Sequence, residues 1–279
     1  MSSLPEADRP AWLCRTCGVQ YPPSAAPPAA CAVCGDERQY VPLEGQSWIN
    51  QEELRSLGQG YDIRELEPGL TGFRCLPQLG IGPIGYLVQT PMGNVLWDCP
   101  SYVDERVVAE VTARGGLAAI SASHPHFYGA MLDWSEAFGD APILLPEADR
   151  EWVQRPDPRV RFWESMVGLV PGLMAVRCGG HFEGSSVLHW PAGAEGRGVL
   201  FTADTIMVAA DRRWVSFMRS YPNMIPLGAA AVDAIVAAVA PLRFDRIYGN
   251  PGWEKLIPDG AAEVVSRSAA RYREAITTM

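Results

Sequence analysis

Histidine is scarce in this chain of 279 residues: there are four, His124, His126, His181 and His189. Cations are also outnumbered, with 23 Lys and Arg against 32 Asp and Glu and a net charge of -9. Nucleic-acid backbones and anionic membranes select for basic patches, so neither is expected as a partner. The start, Met1-Ser2-Ser3-Leu4-Pro5-Glu6, lacks a basic segment followed by an apolar one, so no secretory signal is expected. The longest apolar run, Leu227 to Leu242, contains Asp233 and is too short to span a bilayer. No internal repeat recurs at a fixed period. These absences predict a soluble, cytoplasmic protein acting on a small-molecule substrate, and they leave a homo-oligomer open. The 48% hydrophobic content is enough to pack one large α/β domain beside a small module.

The small module is read from Cys14-Arg15-Thr16-Cys17-Gly18 and Cys31-Ala32-Val33-Cys34-Gly35. Two C-x-x-C-G knuckles place four thiolates at the corners of a tetrahedron, and the glycine after each pair permits a tight turn whose N–H groups can face sulfur. Two disulfides or unconnected thiols are the alternatives; without an export signal, a four-cysteine metal site is expected instead. Tyr21 to Pro28, with four prolines, cannot be helix or inner strand. The module therefore has almost no core, and its metal must supply folding energy. Zinc is expected there, although the ligand set alone leaves iron open. A closed four-thiolate site has a structural or docking role. Nearby, Arg15 and Arg38 are balanced by Asp36 and Glu37, which makes no basic patch. The module is assigned to residues 1–45 and the large domain to residues 46–279.

Two of the four histidines lie one residue apart in Ser123-His124-Pro125-His126-Phe127-Tyr128, after the apolar run Gly116 to Ala122. Side chains two apart on a strand end point the same way, so both imidazoles can converge on one ion beyond the strand's carboxyl end. His181 lies in a glycine-rich turn directly before the alternating strand Ser186 to Trp190. Asp204 ends the apolar run Gly198 to Thr202, and could otherwise cap a helix. His189 lies inside a strand beside Trp190 and reads as structural. Cys75, Cys99 and Cys178 read as buried small hydrophobes.

An H-x-H turn after a strand, a G-H-x-x-G-S turn before one, and an apolar strand ending in Asp-Thr, in that order, resemble the metallo-β-lactamase superfamily over roughly residues 60 to 253. Position by position, the resemblance implies that His124, His126 and His181 hold the first metal and that Asp204 is the carboxylate beside it. It also implies that Asp98, ending Asn94 to Asp98, supports the site from behind. The family's fuller motif is H-x-H-x-D-H, and here Tyr128 and Gly129 stand where the last two ligands belong. Tyr248 to Trp253 lacks the histidine usual near the C-terminus. The resemblance thus implies one metal, zinc by preference with iron or manganese open. Tyr128 either donates a proton or hydrogen bond to an oxyanion or merely fills the vacated second site.

The remaining elements fit the same architecture. Strands are expected at Asp62 to Leu66, Gly72 to Leu76, Ile84 to Gln89, Asn94 to Asp98, Leu117 onward and Pro142 to Leu145. Arg161 to Trp163, Gly172 to Arg177, Ser186 to Trp190 and Gly198 to Thr202 are expected to form a second sheet, with Phe244 to Tyr248 a later strand. Helices are expected at Gln51 to Leu57, Val103 to Arg114, Phe127 to Phe138, Glu147 to Val153, Gly228 to Val239 and Ala261 to Thr277. The fold class is α/β: a four-layer αββα sandwich with an N-terminal zinc ribbon. Asp211 to Pro226, aromatic and irregular, reads as a loop bordering a pocket, where Arg213, Tyr221 and Asn223 could orient a substrate carbonyl or be wedged against the core. The expected function is a zinc-dependent hydrolase in which Asp204 and Tyr128 assist attack of water on an ester, lactone, thioester or amide. The alternative is a non-catalytic metal-binding, sensing or adaptor protein that has kept the fold and lost the second metal site.

Overall fold

The computed structural model describes residues 9–277. The N-terminal ribbon has three short strands, β1 (Ala11–Cys14), β2 (Gln20–Pro23) and β3 (Trp48–Ile49), in the antiparallel order β2-β1-β3. Pro22 and Pro23 lie on the edge strand, where a missing N–H breaks no inner ladder. The third strand carries the ribbon's sheet past residue 45. The ribbon's core is its four cysteines with Val19, Tyr21 and Val33. Asn50 then caps the helix Gln51–Ser56 in a reciprocal box with Glu53.

The first sheet has seven strands in the order β10-β9-β8-β7-β6-β5-β4. Strands β4 (Gly60–Glu67), β5 (Leu70–Leu76), β6 (Ile84–Val88) and β7 (Val95–Trp97) form an antiparallel meander. Strands β8 (Ala119–Ser121), β9 (Ile143–Pro146) and β10 (Val160–Trp163) continue it in parallel. The second sheet, of order β11-β12-β13-β14-β19-β20, contains β11 (Met166–Val170), β12 (Leu173–Arg177), β13 (Ser186–Trp190), β14 (Val199–Phe201), β19 (Arg246–Tyr248) and β20 (Leu256–Ile257). Between β14 and β19 lie two hairpins, β15 (Met207–Val208) with β16 (Val215–Ser216) and β17 (Met218–Ser220) with β18 (Ile225–Pro226).

Alternation along the strands makes the layers. Val95, Trp97 and Ala119 pack inward against Leu188, Val199 and Phe201 of the opposite sheet. Their neighbours Leu96 and Ile120 face outward onto Val107, Val111 and Trp134 of the helices Glu105–Ala113 and Met131–Ala137. Val187, Leu200 and Ile247 likewise meet Val232, Ile235, Val264 and Val265 of the helices Ala229–Val239 and Ala261–Thr277. The result is the αββα sandwich with an N-terminal cysteine ribbon. Among the described residues no helix is long and apolar enough to cross a membrane.

Four local expectations change. Arg161 to Trp163 joins the first sheet, because β10 returns parallel to β9 after a crossover instead of starting the second layer. Glu147 to Val153 forms 3₁₀ turns; Asp149 is non-helical (φ -108°, ψ 16°), its carboxylate drawn inward to accept the Gly184 N–H at 2.7 Å. The stretch Asp211 to Pro226 is not a plain loop but supplies most of the two hairpins.

The helix expected from Phe127 to Phe138 is split into a 3₁₀ turn at Pro125–Phe127 and a helix at Met131–Ala137. Gly129 causes the break: its φ is +47°, and an added Cβ would lie 2.0 Å from the Cys99 carbonyl oxygen. Its own carbonyl accepts the Gln20 N–H of the ribbon at 3.3 Å. Gly129→Ala is therefore expected to destabilise the fold by at least about 2 kcal/mol, through backbone overlap as well as an unfavourable φ, when measured by denaturant unfolding.

Candidate metal centre

Strand direction brings the site residues to one edge. Parallel strands β7 and β8 end together, so Asp98 and the Ser123-His124-Pro125-His126 turn leave the first sheet side by side. In the second sheet β13 runs antiparallel to β14, so the turn before β13, with His181, lies beside the segment after β14, with Asp204. Ser186 N–H donates to the Ser123 carbonyl at 2.8 Å and joins the two edges. Ala203, at φ +42°, turns the chain just before Asp204.

Donor atoms of His124, His126, His181 and Asp204 all lie within 4.8 Å of one another. Their relative exposures are 0%, 2%, 1% and 8%, so solvent can reach the group chiefly at Asp204. Asp204 Oδ2 stands 3.5 Å from His124 Nε2 and 3.6 Å from His181 Nε2, while His181 Nε2 is 3.3 Å from His126 Nδ1. Metal bonds of about 2.0–2.1 Å arranged tetrahedrally separate donors by about 3.3 Å, so this spacing fits one ion at the centre.

The hydrogen bonds around the donors fix which lone pairs are free. Ser123 Oγ donates to Asp98 Oδ1 at 2.7 Å, so it accepts from His124 Nδ1 at 2.9 Å and leaves His124 Nε2 bare. The Met218 carbonyl accepts from His181 Nδ1 at 3.3 Å, leaving Nε2 of that ring bare as well. Burial holds the His126 imidazole well below its usual pKa, and charge on His124 or His181 would depress it further. Burial lowers His181 to about 4, partly opposed by the Asp204 carboxylate. Both rings are consequently neutral at neutral pH. Among the described residues His124 Nε2, His126 Nε2 and Asp204 Oδ1 have no hydrogen-bond partner.

Asp98 is wholly buried behind the centre. It accepts from Ser123 N–H and Oγ, both at 2.7 Å, and from Asn250 Nδ2 at 2.9 Å. Burial pushes its carboxyl up to about 6 while these bonds pull the other way. Asn250 also exchanges bonds with Ile84 N–H and carbonyl, each at 2.9 Å, and so ties the second sheet's edge to β6. Ser123 and Asn250 were not candidates from the sequence. Asp149, also unforeseen, is buried, has one unpartnered carboxylate oxygen, and is raised by burial to about 7.

The other candidates are distributed differently. Tyr128 is buried in the first sheet's outer core with an unpartnered hydroxyl, and burial and the Asp149 carboxylate push its phenol well up. Tyr221 lies against the centre, its hydroxyl 3.1 Å from the Asp204 carbonyl oxygen and its ring 6.0 Å from that of His181. Arg213 is on an exposed turn, where its carbonyl accepts from Arg267. Asn223 donates to the Glu37 and Gln39 carbonyls of the ribbon at 2.8 and 2.9 Å, so its amide is engaged in holding the two modules together. His189 donates to or accepts nothing at the centre; its Nε2 is 2.9 Å from the Arg243 carbonyl oxygen. Tyr128, Gly129 and Asn250 offer no ring nitrogen or carboxylate beside the centre, and the Gly129 backbone has no room for a larger side chain.

The ribbon forms the second donor cluster, Cys14, Cys17, Cys31 and Cys34, all free and buried. Sulfur separations of 3.6 Å (Cys14 to Cys34) and 3.7 Å (Cys17 to Cys31) are far from a disulfide bond of about 2.05 Å and near the tetrahedral edge of about 3.8 Å set by metal–sulfur bonds of about 2.3 Å. Gly18 and Gly35 N–H donate to the Cys14 and Cys31 carbonyls, at 2.8 and 2.9 Å, instead of to sulfur. The sulfurs are met by Cys34 N–H, Tyr21 hydroxyl and Gln46 Nε2, at 3.4, 3.3 and 3.0 Å.

No family model matches the chain. In structure it is similar to DIM-1 metallo-β-lactamase, with a TM-score of 0.57 at 13% identity over 77% of this chain and 98% of that one. It is also similar to the metallo-β-lactamase SMB-1 in complex with mercaptoacetic acid, with a TM-score of 0.51 at 20% identity over 75% and 92%. Likeness at that level of identity establishes the metallo-β-lactamase fold. In sequence it is 45% identical over 271 residues, 96% of this chain and 98% of its relative, to the uncharacterised protein YmaE of Bacillus subtilis (strain 168). The chain thus has the metallo-β-lactamase fold and belongs to the same family as YmaE.

Proposed function

We propose that the protein is a metal-dependent hydrolase that uses one metal ion, zinc by preference, held by His124 Nε2, His126 Nδ1 and His181 Nε2 with Asp204 Oδ2 beside them. The observation that carries this reading is the convergence of three buried imidazoles and one carboxylate at a tetrahedral spacing, with His124 Nε2 left without a hydrogen-bond partner. Bound there, the ion would supply Lewis-acid polarisation of a carbonyl oxygen and the acidification of a water near neutral pH.

The chain's own residues would do the rest. Asp204 turns Oδ2 toward the imidazoles and keeps Oδ1 without a partner, so Oδ1 is placed to accept a hydrogen from the attacking water. Tyr221 holds the Asp204 turn through its carbonyl. The Asp98–Ser123–His124 chain fixes the first imidazole's tautomer and orientation. Tyr128 keeps its proton at neutral pH and could donate a hydrogen bond, but none links it to the donor cluster, so filling the vacated second site is its better-supported role. Substrates of this class would be an ester, lactone, thioester or amide. Of the three polar residues named for substrate contact, Tyr221 stays a candidate, whereas the Arg213 and Asn223 surroundings favour roles elsewhere.

One observation favours a second reading, a metal-binding or sensing protein without turnover. Asp204 Oδ2 stands at ligand spacing, and four protein donors would close a tetrahedron as structural sites do. Metal analysis of protein purified without added metal, combined with an ester and thioester hydrolysis panel, separates the two. Hydrolysis predicts two metals per chain, one of them lost in His126→Ala together with all turnover. Metal retained in that variant would remove the site assignment, and metal loss with no wild-type turnover would select the second reading. Ser123→Ala is expected to keep the fold and to weaken metal binding at the imidazoles by about 10–100-fold in a chelator competition, since it frees the His124 tautomer.

A further inference from the structure

The ribbon does not hang free of the metal centre. Its segment Asp36 to Gln39, beginning two residues after the ribbon ligand Cys34, grips the two pieces of chain that hold His181. Arg38 is 5% exposed, with its guanidinium 4.1 Å over the Phe182 ring and 5.1 Å over the Trp152 ring. Its Nη1 donates to Glu183 Oε2 at 3.0 Å and approaches the His181 carbonyl at 3.5 Å, while Nε donates to Asp36 at 2.6 Å. On the other side Arg219 Nε donates to Glu37 at 2.5 Å, and Asn223 binds the Glu37 and Gln39 carbonyls. Arg219 follows Met218, whose carbonyl sets the His181 tautomer. The Phe182 ring under Arg38 lies 5.0 and 5.1 Å from those of His126 and His181.

We infer that Arg38 is a positioning residue through which the four-cysteine site and the imidazole site are coupled: metal in the ribbon tightens metal binding by His181 and its neighbours, and the reverse. This rests on the metal-binding reading of the imidazoles given above. The physical chain is short. The ribbon's core is mostly its cysteines, so an empty ribbon cannot hold the Asp36 to Gln39 segment in register. Without that segment the buried stack on Phe182 and the Glu183 ion pair are lost, and the His181 turn gains freedom that an ion must then remove. Linkage makes the effect reciprocal.

Cobalt(II) tests this on the full-length chain, because thiolate ligands give sulfur-to-metal charge-transfer absorption that a nitrogen and oxygen site lacks, so each site is read separately. Wild type, Arg38→Ala, Arg38→Lys and Cys31→Ser would be titrated against a chelator, with circular dichroism verifying that the large domain stays folded. Arg38→Ala and Cys31→Ser should each weaken the imidazole site by about 10–100-fold, and the double variant by little more than either alone. Arg38→Lys should recover only part, since an ammonium lacks the planar fork and stack. In wild type, filling the imidazole site should slow reaction of the ribbon cysteines with a thiol reagent, and in Arg38→Ala it should not. Imidazole-site affinities within about threefold of wild type in both Arg38→Ala and Cys31→Ser would overturn the coupling alone. A wild-type protein with no nitrogen-bound cobalt would overturn the site reading and the coupling together.

Discussion

Desolvation of three imidazoles and one carboxylate is the constraint around which this molecule is built. A buried polar group without a partner costs about 1–3 kcal/mol, and more if charged, against a net stability of about 5–15 kcal/mol for a typical domain. His124 Nε2 and His181 Nε2 are stripped of protons by the bonds their other nitrogens make, and they face a carboxylate oxygen across about one donor–donor edge. Two bare ring nitrogens and an anion repel one another. A cation at their centre turns each of those unfavourable contacts into a bond, whereas the one protein contact at hydrogen-bond distance, His126 Nδ1 to His181 Nε2, leaves His124 Nε2 without a partner.

The rest of the fold keeps those donors in place. Asp98 is the hub on the first sheet's side, receiving Ser123 from the strand that carries the histidine pair and Asn250 from the far end of the second sheet. Asn250 stands near where the family supplies a last histidine, and here its amide is spent on β6 and on Asp98. Gly129 shows the same substitution of backbone packing for ligation: its positive φ and its contact with Cys99 leave no space for the imidazole that a second ion would need. The main chain itself therefore excludes a ligand-bearing side chain at position 129.

Much of this was legible in the sequence because the signals are local. An apolar run followed by H-x-H, a glycine turn carrying His181, and a strand ending in Asp204 each state a strand end, and the αββα order places those ends on one edge. Two C-x-x-C knuckles state a tetrahedron. What was not legible depends on contacts between distant segments. Arg38 meets His181 and Glu183 across 143 and 145 residues, and no local pattern distinguishes it from an ordinary surface arginine. The break at Gly129 was hidden because one glycine only weakens a helical pattern, whereas the obstacle is a carbonyl 30 residues earlier. Residues Arg161 to Trp163 could not be assigned to a sheet from alternation alone, since a parallel partner is set by the crossover. Arg213 and Tyr221 share one polar, aromatic stretch; only the hairpins decide that the first faces solvent and the second backs Asp204.

X-ray absorption at the metal edge of protein purified without added metal tests the central claim most directly, because bond length identifies the donor atoms. The account predicts two superposed shells, nitrogen and oxygen at about 2.0–2.1 Å and sulfur at about 2.3 Å, in comparable amounts. A spectrum fitted by the sulfur shell alone, at one metal per chain, would contradict it: the imidazoles would then be a hydrogen-bonded cluster and not a metal centre.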